Sequence, residues 1–244
     1  MKQRNKVYRE HGFAVEDRAP LDIGLLWAFN ANANSLVFWI ILHILATQGL
    51  LESVRKECDP FTLPPSPPNG STPVLALDTQ GILRSCPILK ACYFESLRLN
   101  HEPTSLRYVL KDFTIQPPPS PAAAPYIAKA GSFITIPHSI NQYDPAKYLN
   151  PTVFDHTRFL HIDQETGVLV ARQGSLMPWG GGLPICKGRV FAEREVLLIV
   201  ASVLALWDFE PVEEGGWKVP DMIKGTGVNM PKGDLRTRIR RRVR

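Results

Sequence analysis

One long stretch dominates the apolar pattern of this chain. From residue 21 to about residue 47 it is nearly free of charge and runs into Leu36-Val37-Phe38-Trp39-Ile40-Ile41-Leu42. Asn30, Asn32, Asn34, His43 and Gln48 interrupt it, so the unbroken apolar run falls short of the ~20 residues that a bilayer crossing needs. The pattern predicts a long helix buried inside a domain, with a short helix after it over residues 50–57. Another helix is expected from near Ser85, with Pro87 in its first turn and Ile88, Leu89, Cys92 and Leu97 facing inward. Beyond Gly188, Val190, Phe191, Leu197, Leu198, Ala201, Leu204 and Ala205 recur at helical spacing and mark one apolar face. Extended segments over residues 107–115, 133–137 and 207–211 add strands. The expected class is mainly α with small β-sheets.

The 244 residues suffice for one substantial core. Their net charge of +5 is concentrated at one end. Across residues 231–244, Lys232, Arg236, Arg238, Arg240, Arg241, Arg242 and Arg244 stand against Asp234 alone, and the remainder is close to neutral. Such a localised charge argues against nucleic acid as the general partner. The alternation Arg236-Thr237-Arg238-Ile239-Arg240 suits a terminal edge strand, where charge blocks further pairing; anionic lipid or an acidic redox partner is the functional reading of the same tail. Residues 1–19 are polar and charged and carry neither a leader nor an anchor pattern, so the domain is expected to run from 20 to 244. Two proline-rich stretches, near 60–73 and 117–125, read as loops. Four cysteines, Cys58, Cys86, Cys92 and Cys186, make no zinc-type spacing, and Cys92 falls on the apolar side of its helix.

The surroundings of Cys186 are more specific. Met177-Pro178-Trp179-Gly180-Gly181-Gly182-Leu183-Pro184-Ile185-Cys186-Lys187-Gly188-Arg189 is a glycine-rich turn that delivers one cysteine to the start of a helix. A thiol there meets the positive end of the backbone dipole and unpaired amide donors, which favour the thiolate. Three successive glycines let the backbone approach something large and flat. A lone thiolate under a planar ligand is one way a haem iron is held; the plainer reading is a buried cysteine after a flexible loop. Upstream, Glu95-Ser96-Leu97-Arg98 puts an acid and a base on one helix face, a pair worth only ~0.2–0.5 kcal/mol on a solvated helix. His156-Thr157-Arg158-Phe159 follows turns at Asp144-Pro145 and Asn150-Pro151.

Together these segments resemble the cytochrome P450 superfamily. The loop is similar to the family's aromatic-x-x-Gly-x-Arg-x-Cys-x-Gly, with Trp179 at the aromatic, Gly182 at the first glycine, Cys186 at the axial ligand and Gly188 after it. Pro184 departs from it, standing where most members carry an arginine for a haem propionate. That departure and the Trp-Gly-Gly-Gly form resemble the branch of cholesterol 7α-hydroxylase, sterol 12α-hydroxylase and prostacyclin synthase. The resemblance covers only the C-terminal half of the family fold: the long haem-crossing helix, the Glu-x-x-Arg helix, the meander, the cysteine loop and the following helix.

By resemblance, haem b sits among Arg107, Trp179, Gly180, Gly182, Cys186 and Gly188, with Cys186 on the iron and Arg107 on a propionate. The plainer reading of Arg107 is an exposed strand residue. Glu95, Arg98 and Arg158 form a structural triad. Ala31 and Asn32 replace the acid and threonine beside the oxygen site, and Leu25, Ala28, Asn32 and Ser35 share that helix face. An amide donates a hydrogen bond or holds a water, but it does not supply a proton as an acid does. Asn32 therefore suits either of two chemistries: hydroxylation fed by an NADPH-cytochrome reductase, or rearrangement of a lipid peroxide without one. The implied substrate is a sterol or other lipid, and the implied location is the cytosolic face of the endoplasmic reticulum membrane, or the cytoplasm if no anchor is attached. The chain is expected to be a truncated copy, with apolar surface around Trp27, Phe29, Phe38 and Trp39 uncovered. A non-catalytic remnant and a single-span membrane protein are the other classes.

Overall fold

The computed structural model describes residues 2–63, 76–117, 124–225 and 227–243. Its helices are α1 (Lys2–Glu10), α2 (Val15–Asn30), α3 (Ala33–Ala46), α4 (Leu50–Cys58), α5 (Thr79–Ser85), α6 (Pro87–Asn100), α7 (Ser139–Gln142) and α8 (Arg189–Leu206). The proline-rich stretches expected near 60–73 and 117–125 fall largely outside the described residues.

The long apolar stretch is two helices. The first starts at Val15, so the boundary expected at residue 20 falls inside α2, and the helical course breaks at Ala31-Asn32. Asparagine side chains compete with helical backbone bonding. Asn30 Nδ2 donates back to the Leu26 carbonyl at 2.8 Å, and Asn32 turns aside to accept the Val228 N–H at 3.0 Å. The two halves then meet different surroundings. No residue of α2 is buried, and Ile23, Leu26 and Trp27 are exposed. In α3, Leu36, Trp39, Ile40, Leu42 and Ile44 are buried. Trp39, expected at an uncovered surface, is enclosed, and its indole N–H donates to the Asn229 carbonyl at 2.7 Å. Among the described residues Val15–Ala46 is the one helical stretch long and apolar enough to cross a membrane, and its second half is committed to the protein core.

Helix α6 is the hub of that core. Pro87 occupies the first turn, where its missing N–H costs nothing. The Glu57 carboxylate at the end of α4 accepts the Ile88 and Leu89 N–H groups at 2.7 and 3.2 Å, satisfying two orphan donors. Burial nonetheless pushes the Glu57 carboxyl up to about 7. From Ala91 to Asn100 every residue of α6 is buried, with α3 and α8 against it on one side and the segment around Arg158 on the other. Val196, Leu197, Val200, Ala201, Leu204 and Ala205 form the inner face of α8. Val190 and Phe191, placed inward on spacing alone, are exposed, because the first turn of α8 stands clear of the core.

The strands make seven antiparallel two-stranded sheets among the described residues. They are β1 (Thr62–Leu63) with β2 (Ala76–Leu77), β3 (His101–Glu102) with β12 (Gly227–Val228), β4 (Thr104–Tyr108) with β7 (Phe133–Pro137), and β5 (Phe113–Ile115) with β6 (Tyr126–Ala128). The others are β8 (Leu160–Ile162) with β9 (Leu169–Ala171), β10 (Trp207–Pro211) with β14 (Thr237–Arg241), and β11 (Met222–Ile223) with β13 (Met230–Pro231). The basic tail is thus a strand, partly neutralised in place: Arg240 faces Asp208 and Glu210, and Arg242 forks onto Asp59 at 2.9 and 3.0 Å.

Glu95 and Arg98, both 0% exposed, pair side-on through two hydrogen bonds of 2.7 Å. Arg98 Nη1 also donates to the carbonyls of Gln142 and Pro151 at 2.8 and 2.7 Å, and the Tyr148 ring lies 4.9 Å from the guanidinium carbon. Glu95 Oε1 further accepts the Asp155 N–H at 2.9 Å and Arg158 Nε at 3.3 Å. A buried charge left without its partner costs about 3–5 kcal/mol. Arg98→Ala should therefore lower the denaturant-measured stability by about that much. Lys129→Ala, which removes an exposed pair with Asp112, should leave the stability nearly unchanged. Equal effects of the two would show that the Arg98 pair behaves as a surface pair.

Candidate functional site

A cavity of about 420 Å3 opens between the α2–α3 break, strand β4, the glycine-rich loop and the start of α8. Cys186 lies on it and is exposed, whereas Cys58, Cys86 and Cys92 are buried. The Cys186 N–H donates to the Trp179 carbonyl at 3.0 Å and so closes the loop on itself. Gly180 and Gly182 sit at φ +70° and +71°, a region that side chains disfavour. Gly188 leads into α8, and the Arg189 guanidinium donates to the Cys186 carbonyl at 3.1 Å.

Leu25, Ala28, Asn32 and Leu36 form the opposite wall. Ser35, expected on this face, does not line it; four residues on from Asn32 the helix returns to the cavity at Leu36. The Val228 N–H can bond only to an oxygen, which fixes the Asn32 carboxamide with Oδ1 committed and its NH2 donors left over. Gly227, at φ +122°, makes this possible, because a methyl group there would overlap the Asn32 oxygen. Arg107 is half-buried on β4. Its guanidinium donates to the Leu106 and Gly181 carbonyls, both at 2.8 Å, and ties the strand to the glycine loop. Cys186, Trp179, Gly180, Gly188, Arg107 and Asn32 thus share one cavity. Glu95, Arg98 and Arg158 stand outside it, in the core behind.

Residues 28–236 match the cytochrome P450 family. The chain belongs to that family. It is 29% identical over 250 residues to human 7-alpha-hydroxycholest-4-en-3-one 12-alpha-hydroxylase, covering 95% of this chain and 47% of the relative. Human prostacyclin synthase is 29% identical over 239 residues, again with 95% and 47% covered. A cytochrome P450 monooxygenase of Gibberella zeae is 25% identical over 241 residues, with 96% and 44% covered. The chain therefore spans about half the length of the curated relatives it matches.

The P450 cavity suits a broad flat group carrying a thiolate-bound metal. Its thiol is accessible, glycine backbone lies beside that thiol, the wall from α2 and α3 is apolar apart from Asn32, and one arginine reaches the loop. Phe29 and Phe191, 5.2 Å apart between ring centroids, add aromatic lining.

One further group carries no signal in the sequence. His101 lines the cavity 6.3 Å from the Trp179 ring, and its buried Nδ1 has no hydrogen-bond partner among the described residues. Burial, with His138 nearby, lowers its pKa to about 4. Ser105 Oγ and His138 Nε2 meet at 2.9 Å in the same region. The turn of the chain after α6 and the pairing of β4 with β7 bring Ser105 and His138 beside His101, and no spacing encodes that.

Gly227→Ala should destabilise the chain by about 1–3 kcal/mol through backbone strain and overlap with Asn32. In a double-mutant cycle, Asn32→Ala should recover part of that loss. Additive effects in urea unfolding would mean that Gly227 does not hold Asn32.

Proposed function

We propose that this chain forms the haem-thiolate part of a cytochrome P450 that oxidises a sterol or similar lipid, with Cys186 as the iron ligand. The observation that carries the reading is the single exposed cysteine of the described residues, held by its glycine loop on a cavity that Asn32 also lines. Haem b bound there supplies oxygen activation for C–H hydroxylation, with electrons from an NADPH-cytochrome reductase.

The chain's own residues then have separable tasks. The Trp179 carbonyl and the flanking glycines hold the Cys186 sulfur toward the cavity. Arg107 keeps donors beyond the two it spends on carbonyls. These would hold a haem propionate, and Pro184 brings no charge of its own to the lining. Leu25, Ala28 and Leu36 exclude water and favour an apolar substrate. Asn32 offers N–H donors to an oxygen at the reacting centre without delivering a proton as an acid.

A second reading rests on Asn32 and Ala31, which put no acid at the helix break. Rearrangement of a lipid peroxide needs no proton relay, and one relative is named prostacyclin synthase. Its reaction would proceed without reductase or NADPH, which separates it from hydroxylation. In either case we place the activity in a protein that also covers the exposed α2 surface at Ile23, Leu26 and Trp27, at a membrane face.

Reconstituted with haem and reduced under carbon monoxide, the chain should show the red-shifted absorption of a thiolate-bound iron. Cys186→Ser should abolish it while Cys92→Ser retains it. A retained signature in the Cys186 variant would assign the ligand elsewhere.

A further inference from the structure

We propose that Glu57, Cys58 and Cys86 form a second metal site, apart from the Cys186 cavity, suited to a thiophilic divalent cation such as Zn2+. Residues 58 and 86 are far apart in the chain, and their spacing signals nothing. The end of α4 and the start of α6 bring them together. Among the described residues this is the one group of three such side chains whose donor atoms all lie within 4.8 Å of one another.

Geometry favours a metal over a disulfide. The two Sγ atoms stand 3.7 Å apart. A disulfide requires about 2.05 Å, so the chain would have to move to form one. Two thiolates on a tetrahedral zinc, each about 2.3 Å from it, lie roughly 3.8 Å from each other. The sulfur separation already has that value.

The third donor is oriented in advance. Each Glu57 carboxylate oxygen accepts one N–H from the first turn of α6, at 2.7 and 3.2 Å. Such outer bonds fix a ligating carboxylate and leave lone pairs free. The second carboxylate oxygen or a water completes four donors. Two thiolates and a carboxylate overcompensate a divalent cation by one charge, and the N-terminal end of α6 is where a helix stabilises negative charge. Cys58 and Cys86 are only 4% and 3% exposed, so an ion held there would be enclosed by the core. Thiolate donors select zinc over magnesium or calcium. A bound ion would clip α4 to α6, the helix that carries Glu95 and Arg98. Without metal, the same thiols are an ordinary hydrogen-bonded core pair.

The test uses the haem-free chain, stripped with chelator in mild detergent and titrated with Co2+ as a coloured stand-in. About one equivalent should produce a thiolate-to-cobalt charge-transfer band that Zn2+ bleaches. Cys186→Ser should keep the band, and Cys58→Ser and Cys86→Ser should each weaken binding on the order of tenfold or more. The wild-type chain gives an independent readout that needs no folded variant: in urea just sufficient for the metal-free chain to react at its buried thiols, Zn2+ should slow alkylation of Cys58 and Cys86 and leave Cys186 reactive. Absence of a band in the wild type, a band that follows Cys186, or unchanged alkylation of Cys58 and Cys86 overturns the proposal.

Discussion

A carboxylate and a guanidinium with no access to solvent organise this chain. Removing Glu95 and Arg98 from water is costly, and the pair is tolerated because its hydrogen bonding is filled. The carbonyls of Gln142 and Pro151, the Asp155 N–H and Arg158 complete it. Those partners lie at the end of α7 and in the stretch after it, which has little regular structure of its own. The network therefore fixes the path of that stretch as well as stabilising α6. Asn150, at φ +50°, turns the chain there, a conformation asparagine tolerates better than most residues.

From this hub the cavity walls follow. α3 and α8 pack on α6, and α6 leads directly into β3 and β4, which carry His101 and Arg107. Asn229 joins the layers. Its N–H donates to the Asn100 carbonyl at 2.7 Å, and its own carbonyl takes the Trp39 indole. The adjoining β12 holds Asn32 at the helix break. Beyond that break the chain changes character, since α2 buries nothing while α3 is core. Removing about a few hundred Å2 of apolar surface from water stabilises a fold by several kcal/mol, so the exposed face of α2 is a surface that gains from a cover.

Much of this was legible in the sequence. The strands at residues 133–137 and 207–211 and the inward position of Cys92 followed from local pattern, because an alternating or helical period reports directly on which face is buried. The glycine loop was legible because only glycine takes its backbone angles at low cost. The break at Ala31-Asn32 was not: its partner Val228 is almost two hundred positions away, and a run of small and amide residues reads as continuous helix. Spacing likewise put Val190 and Phe191 inward, although a helix face is buried only as far as a neighbour reaches. His101 and the pair Cys58 and Cys86 needed the tertiary fold to become neighbours of anything chemical.

If α6 and its buried ion pair hold the structure together, native-state hydrogen exchange of the chain should rank its segments accordingly. The slowest amides should be those of residues 91–100, together with the inner turns of α3 and α8, all opening with the same free energy as global unfolding. Those of α2 should exchange far faster. Exchange in α6 as fast as in α2 would contradict the account.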